Sequence, residues 1–76
     1  MDILNKEQIL NLNPGDEIVI DYPELNDKQV GKIYEITDNF IFWVVDGDDD
    51  ICELYIPCLN KDGSFNNYSN GQFHKK

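Results

Sequence analysis

Four aspartates fall within five positions, Asp46, Asp48, Asp49 and Asp50 around Gly47, and Glu53 follows. Acids at 46, 48 and 50 match the first ligands of an EF-hand calcium loop. The match stops there. The sixth place is Ile51 rather than glycine, and the twelfth is Pro57, where a bidentate Glu is needed. The stretch reads as a hairpin turn with solvated carboxylates, and no metal is expected. Like charges this close repel one another, so the cluster fits an acidic prong offered to a basic protein groove.

The other reactive residue types make no constellation. Cys52 and Cys58 lack the Cys-x₂₋₄-Cys spacing of structural zinc, and His74 is the single histidine. Two Ser and one Thr have no base in evident reach, since that histidine lies in the tail. The chain is expected to be no enzyme and to carry no cofactor. Two cysteines do not make a disulfide framework either.

The aromatic residues have two uses. Trp43 belongs to a run without polar residues, Phe40 to Val45, and reads first as core. Alternation within that run would turn Phe40, Phe42 and Val44 inward and set Ile41, Trp43 and Val45 on a second face, covered by a helix or by a partner. No basic patch interleaves the aromatics, so direct nucleic-acid binding is disfavoured.

Charge narrows the partners. Fifteen carboxylates stand against six Lys and no Arg, a net charge of −9 over 76 residues. Such a chain is repelled by nucleic-acid phosphate and by anionic membranes, and is drawn to basic protein surfaces. A hydrophobic content of 41% is too high for a disordered acidic tail. No segment approaches the ~20 apolar residues of a membrane span, and the opening residues lack the pattern of a signal peptide. A cytoplasmic protein with reduced thiols is the expectation, with oligomerisation left open.

Around these groups the elements fall into place. One domain over 1–76 begins with a short helix at about 5–12, capped by Asn5, with Gln8 at the third helical position and a Leu4–Ile9 staple. Asn13-Pro14-Gly15-Asp16 has the order of a type II turn. Strands are expected near 17–21, 30–37, 40–45 and 51–56, with Ile18 and Ile20 on one face of the first and Cys52, Leu54 and Ile56 on one face of the fourth. The longest run, Phe40 to Val45, should be covered on both faces. Gly31 suggests a bend or a close backbone approach. The loop from Tyr22 to Gln29 carries alternating charges, Glu24 among them. Beyond Pro57, Phe65, Tyr68 and Phe73 are the large apolar residues, and a short strand near 65 would close a barrel. Asn70-Gly71 reads as a hairpin dipeptide and His74-Lys75-Lys76 as a fraying end. The economical architecture is mainly β: a small five-stranded barrel with one short N-terminal helix.

Two sets of short motifs carry a resemblance. PGDEIVI…VGKIYEITDN resembles the opening of SH3-like and KOW-like barrels. IVIDY, the Phe42-Trp43 pair and LYIPCLN are similar to three signatures of peptide-binding Src-homology domains. The resemblance spans about Pro14 to Asn60 and implies an SH3-like barrel. By position it also implies that Tyr22, Trp43 and Pro57 form an aromatic groove for an extended peptide. The loop after Tyr22 is shorter than in that family, and the second groove tyrosine is absent.

Two functions follow as expectations. The first is an acidic inhibitor that occupies the basic nucleic-acid-binding surface of a nuclease or other defence protein. In size and charge the chain resembles small acidic anti-restriction and anti-CRISPR proteins of phage and mobile elements. Asp46, Asp48, Asp49, Asp50, Glu53 and Glu24 would be its contact acids, with Tyr22 and Trp43 beside them. The second is an SH3-like adaptor that uses Tyr22, Trp43 and Pro57.

Overall fold

The computed structural model describes residues 3–66 and 69–76. The helix α1 is Lys6–Leu10 and six strands follow: β1 Glu17–Tyr22, β2 Asp27–Ile36, β3 Phe40–Val45, β4 Ile51–Tyr55, β5 Ser64–Asn66 and β6 Asn70–Lys75. All pairings are antiparallel, in the order β4-β3-β2-β1-β6-β5. The sheet curls into a half-barrel. Its two ends meet through a bridge between Leu59 and Phe65, outside β4 itself.

Local chemistry explains the start. Asn5 accepts the Gln8 N–H at 2.9 Å, and the Gln8 side chain accepts the Asn5 N–H at 2.9 Å, the reciprocal capping box. Leu4 and Ile9 both enter the core as the staple requires. Five residues cannot sustain a helix in water, so α1 persists by packing against the sheet. Asp16 N–H donates to the Asn13 carbonyl at 3.0 Å and closes the turn that leads into β1.

The barrel interior is one apolar cluster, with Ile18 and Ile20 of β1, Ile33 of β2, Ile41 and Trp43 of β3, Leu54 of β4, Phe65 and Phe73. Its centre is aromatic: Trp43 meets Phe73 edge-on at 5.3 Å, and Phe65 lies 4.8 Å from Phe73. Gly31 sits where any Cβ would strike the Val44 carbonyl, the close approach its position in the strand suggests.

Several expectations are corrected. The described residues form six strands, because the tail read as fraying is β6, which pairs with β1 from Ile18 to Asp21 and fully buries Phe73. Asn70-Gly71 is therefore the opening of a strand. The faces of β3 are also exchanged. Ile41 and Trp43 point into the core, and Phe40, Phe42 and Val44 lie half-buried on the outside, so the run is not covered on both faces. A run with no polar residue has no alternation to read, and one residue of slip inverts it. A bulge between Ile33 and Glu35 sets the actual register. Finally, the loop after Tyr22 is only a 3₁₀ turn, Pro23–Leu25, followed by Asn26 at φ 49, so β2 begins at Asp27. The strand near 65 is found as β5, and Tyr68 lies outside the described residues.

Candidate functional site

The acidic turn is built by β3 and β4. Asp48 N–H donates to the Val45 carbonyl at 3.0 Å, and Gly47, at φ +83, takes a left-handed conformation that L side chains rarely adopt. Asp50 N–H donates to Asp48 Oδ1 at 3.1 Å, and Asp46 N–H reaches across to the Val30 carbonyl at 2.8 Å. Three backbone N–H groups of the turn are thus satisfied, and Asp46, Asp48, Asp49 and Asp50 stand exposed. Burial and then the charges of Asp48 and Asp50 push the nearby Cys52 thiol above its ordinary pKa.

Strand register places other acids at the same end of the molecule. The β1–β2 turn, with Glu24 and Asp27, and the first residue of β6 lie at this end. Glu24 accepts a hydrogen bond from Asn70 Nδ2, which ties that turn to β6. Lys28, paired across from Asp21, lies at this end as well. Lys75 ends β6 opposite Ile18, level across the sheet with Gly31 and Val45, and Lys6 N–H donates to the Lys61 carbonyl beside α1. Lys76 Nζ holds Glu17 at 2.7 Å, and this hydrogen bond with its charge keeps the Glu17 carboxyl below its usual pKa. The Lys76 pKa is raised, first by Glu17 and in smaller part by Asp46, so this cation also neighbours the Asp turn.

Glu53 stands apart from the turn, on the outer face of β4 opposite Phe42. Around it lies a surface absent from the sequence expectations. Phe40 stacks on Phe42 at 5.8 Å and meets Tyr55 at 5.3 Å, while Tyr34, Ile51 and Tyr55 are each about half exposed, at 55%, 50% and 49%. A shallow groove runs between Tyr34, Glu35, Phe42, Ile51 and Glu53. One signal for it was legible: with Cys52, Leu54 and Ile56 inward, Ile51 and Tyr55 must face out.

The peptide groove implied by the Src-homology resemblance is not assembled. Tyr22 and Trp43 are 1% and 0% exposed and converge on Phe65, at 6.1 Å and 6.4 Å, inside the barrel. Pro57 alone of the three is at the surface, in the 3₁₀ turn Ile56–Cys58. The reason is packing: Phe65 and Phe73, from the C-terminal hairpin, draw both rings inward. Trp43 reads correctly as core, although its Nε1 has no hydrogen-bond partner there.

Other reactive groups serve structure. The Ser64 hydroxyl donates to Asp62 at 2.6 Å, and Thr37 Oγ1 accepts the Phe40 N–H at 3.0 Å, each closing a turn. His74 Nε2 lies 3.7 Å from Asp21, a side-chain pair between β6 and β1. Among the described residues, no three His, Cys, Asp or Glu side chains converge as a metal ion would require. No helix among them is long and apolar enough to cross a membrane. No protein-family model, curated protein or solved structure matches the chain.

Proposed function

We propose that this chain is a non-enzymatic inhibitor that occupies the basic, nucleic-acid-binding surface of a nuclease or other defence protein. It sets carboxylates where the partner would hold phosphates. Asp46, Asp48, Asp49 and Asp50 are the leading edge, with Glu24 on the neighbouring turn and Glu53 on the flank. One observation supports this above the rest: Asp46, Asp48, Asp49 and Asp50 all stand exposed in a single turn, with exposed Glu24 on the β1–β2 turn at the same end of the strands. A carboxylate accepts charge-assisted hydrogen bonds from Arg and Lys much as a phosphate does. A folded turn offers several at once without ordering a long tail.

We further assign the curled sheet to the SH3-like class, a reading supported by the order of hairpins and the Pro57 turn before the C-terminal pair. A phage or mobile-element origin and a cytoplasmic site of action go with the proposal. The adaptor alternative has lost Tyr22 and Trp43 to the core, and no observation favours it.

The test is the salt dependence of binding to a basic nucleic-acid-binding partner. Electrostatic capture is fast and weakens steeply as salt rises. Replacing Asp48, Asp49 and Asp50 with Asn keeps the shape of the turn, and should lower both the affinity and its salt slope. An affinity indifferent to salt and to the triple variant contradicts the proposal.

A further inference from the structure

We propose that β4 and the outer face beside it form a second recognition element, taking an extended cationic segment of the same partner as an added strand. The inference rests on the reading above for the partner's positive charge. The apolar surface itself stands independently of it.

The sheet ends at β4. Ile56 N–H donates to the Asn39 carbonyl at 2.8 Å, and the β3–β4 register steps from there in twos. Asn39 and Ile56, Ile41 and Leu54, and Trp43 and Cys52 are therefore the hydrogen-bonded pairs. Ile51 and Tyr55 fall at the intervening positions, so their backbone N–H and C=O groups point away from β3, towards the side on which the sheet ends. Their side chains are half exposed and continue the outer surface of Tyr34, Phe40 and Phe42. Exposed sheet edges beside an apolar patch are what added strands use.

Charge selects the occupant. Glu35, Glu53 and the Asp48–Asp50 turn border the face, with Lys32 beside Val44. A second copy of the chain is the obvious competitor. Full overlap of two β4 strands about a two-fold axis would set Ile51 against Tyr55, a favourable pair, but Glu53 against Glu53. Like charges directly opposite are destabilising, and each copy also brings −9. A strand from a basic protein has neither penalty. Its side chains on the outer face would read apolar, cation, apolar at alternate residues, lying against Ile51, Glu53 and Tyr55. Its further cations would reach the Asp turn.

The test uses two synthetic peptides of equal charge. One has lysine at its first, fourth and seventh residues, valine at the second and sixth, and threonine between. The control replaces both valines with serine. The valine peptide should bind at least about tenfold more tightly. It should also slow amide hydrogen exchange at Ile51 and Tyr55, and the Phe42→Thr, Ile51→Thr double variant should erase the difference. Equal binding of the two peptides overturns the added strand and leaves the acidic-turn proposal standing. Binding of neither overturns both. Self-association through Ile51 and Tyr55 in the absence of peptide makes a second copy the occupant and also overturns the inference.

Discussion

At the scale of the residue, two side chains report on how the turn and the core are built. Cys58 is exposed, whereas Cys52 is half-buried and its thiol pKa is raised, first by burial and then by Asp48 and Asp50. Cys58 should therefore be alkylated well before Cys52 near neutral pH, because the thiolate is the reactive form. The triple Asn variant removes part of the cause, so Cys52 should react faster in it. Mass spectrometry of partially alkylated protein reads both rates. The sign for stability follows: a thiol that holds its proton more tightly when folded favours the folded state less as pH rises past the ordinary thiol range. Gly31 gives the second probe. Gly31→Ala forces β2 off the Val44 carbonyl and should cost about 1–3 kcal/mol in denaturant unfolding, the range for overpacking. Tyr22→Ala carries no information about binding, because the ring it removes is core.

Among the elements, β6 matters more than its sequence suggests. Gly71, Gln72, Phe73, His74 and Lys75 alternate correctly, but Phe73 is the lone large apolar residue in the period, and end position argues for fraying. Its role comes from long-range pairing with β1, which no local pattern displays. Phe73→Ala should cost about 3–5 kcal/mol, and a chain ending at Ser69 should show no cooperative unfolding by circular dichroism. A truncated chain that melts like the full one would mean β6 is ornament. The contrast with α1, β3 and β4 is instructive. Their ends were legible to within a residue or two because a cap, a turn dipeptide or a β-branched run marks each one. The turn at Asp46–Asp50 was legible for the same reason. Of the outer aromatic face only the share of β4 was legible, because the rest depends on which side of β3 is the core. That side is decided by Phe65 and Phe73, more than twenty residues further along the chain.

For the molecule as a whole, the central quantity is the net negative charge. A net −9 on one small half-barrel is self-repelling, and the repulsion is greatest where four aspartates share a turn. Neutralising Asp48, Asp49 and Asp50 to Asn should raise the melting temperature at low ionic strength, and added salt should raise that of the parent protein more than that of the variant. Stability would thus improve where binding is lost, the mark of residues kept for a partner. The most direct measurement is competition on that partner. A basic nucleic-acid-binding protein recovered with this chain is loaded with a fluorescent oligonucleotide and titrated with the parent protein and with the Asn triple variant. The account predicts that the parent releases the oligonucleotide, less effectively as salt rises, and that the variant needs at least about tenfold more protein to do so. A ternary complex that keeps its oligonucleotide, or equal release by the two proteins, would contradict it.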